Sequence, residues 1–164
     1  MSEINLKKPR ALKGIVQIGI GKLITAHSDS QQKIIEDAEW ALSMVTGQKP
    51  KIVSAKKSIA GFKVRQGMPI AVLVTLRKKR LNDFIERLLT YALPRAKDFY
   101  GLKLKNFDEK GNINLGFKEI NIFPEAISDK IKYNFGLSIN LIGSGKTKEE
   151  NIKLWKDLGF PIKI

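Results

Sequence analysis

Cysteine is absent from the 164 residues. That absence removes disulfides, thiolate catalysis and cysteine-held zinc or iron–sulfur centres in one step. Histidine is nearly absent as well. His27 stands alone, which excludes a histidine-rich metal site; just ahead of a helical pattern and with no assignable partner, it reads as a surface or capping residue. The acids occur in adjacent pairs such as Asp108-Glu109 and Glu149-Glu150, ordinary surface composition without metal-ligand spacing. The longest apolar run, residues 70–76, falls far short of the ~20 residues that cross a bilayer. No nucleophile–base pair emerges, so the expectation is a protein without catalytic residues, metal, cofactor, membrane span or small-molecule substrate.

The most informative lack is of acid. Between residues 40 and 82 there is no Asp or Glu, yet Lys49, Lys51, Lys56, Lys57, Lys63, Arg65, Arg77, Lys78, Lys79 and Arg80 all fall there. The whole chain carries 30 Lys and Arg against 16 Asp and Glu, a net charge of +14. Charge of one sign repels itself, and a polyanion is the usual compensating partner. The remaining residues carry both signs in nearly equal number, so the acid-free segment is the electrostatic centre. Nucleic acid is the expected partner, ahead of an acidic lipid surface.

What is present reads as an alternation of strands and helices. Residues 1–13 are polar and basic and read as an arm. The β-branched "GIVQIGI" (14–20) predicts a strand; Gly19 and Gly21 do not make a dinucleotide fingerprint, since Ile24 stands where the third glycine belongs. Apolar residues at three- and four-residue intervals predict a helix over 28–46, started by Ser28, Asp29 or Ser30 and stopped by Gly47. Trp40 reads as a core or half-buried residue of that helix. A short strand at 51–54, a long basic loop at 55–69 and a central strand at 70–77 follow, then a helix over 80–92 limited by Pro94. Strands are expected at 112–117, 119–123 and 135–142, a short helix at 125–132 and a last helix at 148–158. With 43% hydrophobic residues, these elements suit one domain over residues 1–164. The fold class is α+β, with a single sheet, helices on one face and a long basic loop between two strands.

"GSGKT" (143–147) looks like the end of a phosphate-binding loop, G-x-x-x-x-G-K-[ST], but Asn140 stands where the first glycine should be. A strand, a turn and a helix capped by Thr147 and Glu150 explain it better.

RNA binding accounts for more of the residues. Gln17, Gln48 and Thr75 lie in or beside strands or turns near the basic segment, where a sheet presents them. Phe62, between Gly61 and Lys63, is either a stacking residue or a buried anchor of its loop. Lysine and arginine supply affinity by displacing counterions from phosphates, while neutral polar groups fix register.

"TGQKP" (46–50), "AKKSIAGFKVRQGMPIAVLVTLR" (55–77), "RLLTYALPRAKDFYGL" (87–102) and "FDEKGNINLGFKEINIFPE" (107–125) closely resemble the bacterial-type ribosomal protein L-five family, in order, from about Lys8 to Pro161. The resemblance implies a component of the central protuberance of the large ribosomal subunit that holds 5S rRNA. It also implies contacts with 23S rRNA, with the elbow of P-site tRNA and with a small-subunit head protein across an intersubunit bridge. On that basis the 5S-binding positions are Gln17, Gln48 and Thr75, with Lys49, Lys51, Lys56, Lys57 and Arg77 beside them. The loop that reaches tRNA carries Gly61, Phe62, Lys63, Arg65 and Gln66. The family usually has Asn where Gln17 stands, and an additional helical segment ahead of the position of Lys8, which is nearly absent here. The implied location is the ribosome, in the cytoplasm or an organelle. A general RNA-binding or RNA-chaperone protein on the same scaffold is the alternative.

Overall fold

The computed structural model describes residues 9–97, 99–129 and 131–163. Five strands, β1 (Ala11–Gly19), β2 (Lys51–Ser54), β3 (Pro69–Leu76), β4 (Ile113–Phe117) and β5 (Leu137–Gly143), form one sheet in the order β2-β3-β1-β5-β4. Every neighbouring pair is antiparallel. Long-range pairing puts β1 at the centre, with Gln17 opposite both Leu73 of β3 and Ser138 of β5.

Alternation along the strands assigns the two faces. Val16, Ile18, Val72, Val74, Leu76, Leu137, Ile139 and Leu141 are buried to within 1% of full cover. Their neighbours in sequence are only half-buried or exposed. Period-2 burial of this kind means that one face carries the core and the other is open. The core face is covered by α2 (Gln31–Thr46), by α3 (Lys78–Arg87) and, at one end, by α5 (Lys148–Asp157). Ile34, Ala38, Ala41, Leu42 and Val45 of α2 join Leu81, Phe84 and Ile85 of α3 in the same buried cluster. Burying a Leu, Ile or Phe side chain contributes about 1.5–3 kcal/mol each, which makes this face the main source of stability.

The expected elements recur with instructive shifts. The region of the basic arm is strand from Ala11 onward, and residues 1–8 lie outside the described residues. A helix absent from the sequence reading, α1 (Gly21–Ala26), follows β1 directly, and a 3-10 turn (Ser28–Ser30) leads into α2 without a side-chain cap. Gly47 ends α2 in the left-handed region (φ 65°), its N–H donating to Ser43 O at 2.8 Å. Pro94 does not stop the second long helix before itself. The chain passes through a π-turn (Leu88–Ala92) and a final turn, α4 (Leu93–Arg95), and only at Ala96 does the backbone become extended. An extra residue in the turn before a proline relieves its clash with the preceding carbonyl. Residues 119–123 are not a strand. Ile120–Ile122 is a 3-10 turn that buries Ile120 and Phe123, and Pro124–Ala126 is another in place of the expected helix.

Candidate nucleic-acid interface

The open face of the sheet is the first feature of the site. Register places Gln17 between Leu73 and Ser138, and Ile15 between Thr75 and Asn140, with Asn114 beyond Asn140 on β4. Lys51 lies opposite Leu73 on the outer side of β3. Arg77, in extended conformation after Leu76, continues the alternation past Thr75. Two rows of mainly hydrogen-bonding side chains, interrupted by Leu73 in one and Ile15 in the other, thus cross the face of the sheet opposite the described helices. Asn140 donates its amide to Asn114 Oδ1, which orients both amides. Gln17 and Thr75 belong to this face, as the sequence suggested. Asn114, Ser138 and Asn140 were missed, because polar residues alternating in a strand look like an ordinary solvated face until the cross-strand register aligns them.

Gln48 sits at the end of this face, in the turn after α2. Its Nε2 donates to Thr75 O at 3.5 Å, and its Oε1 accepts from the Arg80 guanidinium at 3.0 Å. Thr46, buried to 3%, donates its hydroxyl to Leu42 O at 2.7 Å and to Gln48 O at 3.2 Å. The turn is therefore tied to both α2 and β3, and Gln48 aims a cation rather than hanging free. Lys49 beside it is exposed at the rim of the same turn.

The basic loop between β2 and β3 is an ordered hairpin extension. Ala55 and Met68 continue the ladder (Ala55 N to Met68 O, 2.8 Å), and Ile59 and Val64 exchange hydrogen bonds at 2.9 and 3.1 Å. The Gln66 N–H donates to the Ser58 hydroxyl at 2.9 Å. At the tip, a 3-10 turn (Ala60–Phe62) ends at Lys63 in the left-handed region, φ 53°. Lys78, at the start of α3, has φ 52°. For a residue with a side chain this backbone is strained and persists only where the surroundings fix it. Phe62 is 74% exposed, so among the described residues it is not a buried anchor of its loop. Gly61, Lys63, Arg65, Gln66, Lys56 and Lys57 are exposed too. Among the described residues, none of the ten cations between 40 and 82 forms an ion pair; Arg87 does, with Glu125 at 3.3 Å. Cations without a paired carboxylate leave their positive field available to an external anion.

The glycine-rich turn after β5 has its amides already committed. Gly143 N–H donates to Asn112 Oδ1 (3.1 Å), Ser144 N–H to Arg10 O (2.9 Å), Gly145 N–H to Asn151 Oδ1 (2.8 Å) and Lys146 N–H to Glu150 Oε2 (2.7 Å). A phosphate loop needs those N–H groups pointing at its ligand, so this is no phosphate loop. Thr147 caps α5, its hydroxyl accepting from Glu150 N at 3.2 Å, while the Glu150 carboxylate reaches back to Lys146 rather than to Thr147 itself. Asn151, 1% exposed, also donates to Lys110 O at 2.7 Å, and Trp155 Nε1 to Gly111 O at 2.9 Å. That binds α5 to the turn before β4. In the turn, burial raises the Asp108 carboxyl pKa, but hydrogen bonds from the Asn112 side chain, from the N–H groups of Asn112 and Lys110, and the Lys110 charge outweigh it. The net result lies below the ordinary value.

No group of three or more His, Asp or Glu able to hold a metal ion occurs among the described residues, and no described helix is long and apolar enough to cross a membrane. His27 is exposed, its ring 5.8 Å from that of Tyr133, and Trp40, expected in the core or half-buried, is exposed at 38% because it lies off the buried stripe of α2.

The family described as ribosomal protein L5 matches residues 7–65, and the model of the same ribosomal family's C-terminus matches residues 69–162. The large ribosomal subunit protein uL5 of Geobacter sulfurreducens is 46% identical over 158 residues, covering 96% of this chain and 86% of that protein. Its counterpart in Trichodesmium erythraeum is 44% identical, over 94% of this chain and 83% of its own length. That of Fusobacterium nucleatum is 42% identical, over 99% and 88%.

Proposed function

The chain belongs to the ribosomal protein L5 family, and from that premise we propose that it is a structural, non-enzymatic constituent of the large ribosomal subunit that binds 5S rRNA through its open sheet face. The observation that carries this reading is the joining of two surfaces. Polar side chains on one face, Gln17, Thr75, Ser138 and Asn140, the last oriented by its bond to Asn114, lie beside a segment of ten cations without an acid. Cations attract phosphates without regard to sequence, whereas fixed amides and hydroxyls select a shape.

The hairpin extension serves a different contact. Phe62, Lys63 and Arg65 at its tip stand clear of the sheet and reach toward the P-site tRNA elbow, a surface of stacked bases and phosphates. 23S rRNA and a small-subunit head protein complete the set of partners, the latter meeting acidic and apolar residues outside 40–82. Filter binding of the purified chain to 5S rRNA and to an unrelated RNA of equal length tests the central contact. Equal affinity for the two would favour a general RNA-binding or chaperone role and sink the 5S assignment.

A further inference from the structure

We propose that the groove along the outer edge of β4 is a second RNA-binding site, one that takes an unpaired strand. The groove has a volume of about 580 Å³, within the range of pockets that hold a ligand. Its described lining carries Arg95, Lys97, Lys103, Lys105 and Lys118 against Glu119, a strong excess of one sign outside the acid-free segment. Tyr100 also lines it and is 71% exposed. An exposed ring among cations is the arrangement on which successive bases stack while phosphates follow the positive wall.

The walls are fixed before any ligand arrives. Leu102 is bound to the C-terminal segment from both sides, its N–H donating to Pro161 O at 2.7 Å and its O accepting from Lys163 N at 2.8 Å. Asn106 accepts from Lys103 N at 3.0 Å and donates to Asn114 O at 3.3 Å, so a 3-10 turn (Leu104–Asn106) covers the first outward carbonyl of the edge strand. Two residues on, Gly116 has the same outward orientation, and a Cβ built there meets nothing within 4 Å. The edge is thus capped at Asn114 and open at Gly116, where an approaching ligand meets backbone without a side chain in the way.

Gly116 lies opposite Ser138 of the open face, so a strand leaving that face passes over the sheet edge into the groove. The choice of RNA over an acidic peptide follows from the exposed ring, which stacks on bases and has no use for carboxylates. The inference rests on the proposed function only in naming RNA as the polyanion at hand.

Fluorescence anisotropy of the full chain with labelled oligouridine tests it, beside a parallel titration with 5S rRNA. Tyr100→Ala is expected to weaken oligouridine binding by about fivefold or more. The triple replacement Lys97→Glu, Lys103→Glu and Lys105→Glu is expected to weaken it further and to lower the slope of log K against log salt by roughly 2. Gln17→Ala with Thr75→Val should reduce 5S binding and leave oligouridine affinity within about twofold. If the charge reversal impairs folding, judged by circular dichroism, the corresponding Gln triple carries the same test. Unchanged oligouridine affinity in the groove variants would overturn the proposal. So would displacement by polyglutamate as efficient as by polyuridine together with no effect of Tyr100→Ala, which would assign the groove to an acidic protein segment. Groove-dependent oligouridine binding by a chain that ignored 5S rRNA would uphold the groove and sink the 5S reading alone.

Discussion

The Arg80 guanidinium is held 3.0 Å from the side-chain oxygen of Gln48, across 32 residues of sequence, at the corner where α2, β3 and α3 meet. Gln48 also leans on the Thr75 carbonyl, so one amide connects a cation to the edge of the open face. Removing it affects both. Gln48→Ala is expected to lower RNA affinity by about 1–3 kcal/mol, and Arg80→Ala by a comparable amount. Because one orients the other, the double variant should lose less than the sum, with a coupling of about 0.5 kcal/mol or more. Strict additivity in a titration cycle would show that Gln48 acts on RNA without Arg80.

The tip of the hairpin extension is separable from the sheet face. Lys63→Ala with Arg65→Ala is expected to weaken contact with tRNA while leaving 5S binding largely intact. Phe62→Ala should change unfolding free energy by no more than about 0.5 kcal/mol, as for other exposed positions. Equal loss of 5S and tRNA binding would make the loop part of the 5S contact.

The turn that carries α5 is sensitive to single atoms. Gly111 has φ 76°, and a Cβ there would lie 2.7 Å from Lys148 O. Gly111→Ala should therefore destabilise the fold by roughly 2–4 kcal/mol. Asn151→Leu strands the Gly145 N–H and the Lys110 carbonyl, at a cost of about 1–3 kcal/mol. Urea unfolding of each variant measures both, and neither change should alter RNA contacts of the sheet beyond what unfolding explains.

Asp108 makes the same turn responsive to acid. Its folded pKa lies below the ordinary value of 3.8. Its contribution to stability is thus complete above that ordinary value and disappears as pH falls through the lower folded one. Asp108→Asn should flatten the acid limb of a stability–pH curve in that window and leave its neutral-pH dependence unchanged. An identical acid limb in the variant would show that other carboxylates govern it.

Much of the molecule is legible residue by residue. The strand at 51–54 and the core rhythm of Val72, Val74 and Leu76 follow from local pattern alone, and the acid-free segment is visible in composition. Other features need the third dimension. Gly19 and Gly21 obscure α1, since a glycine pair favours a turn over a helix start. Ile120 and Phe123 are spaced for one buried face of a tight turn, yet "EINIF" alternates like a strand. Asn140 stands out in the sequence only as a missing glycine, although register makes it the neighbour of Asn114 and places both in the polar rows of the open face. A side chain's partner across a sheet depends on pairing that no local window contains.

The most direct test of the account is the affinity of the chain for 5S rRNA with and without the Gln17→Ala and Thr75→Val replacements, measured across a salt series. The wild-type chain should bind 5S rRNA at least about tenfold more tightly than an unrelated RNA of equal length. Its log affinity should fall by roughly 0.7–0.9 per log unit of salt for each phosphate neutralised. The double replacement should erase most of the preference and leave the salt slope unchanged, because neither side chain is a cation. A preference for 5S rRNA that survived the replacement intact would contradict the assignment of recognition to the open face.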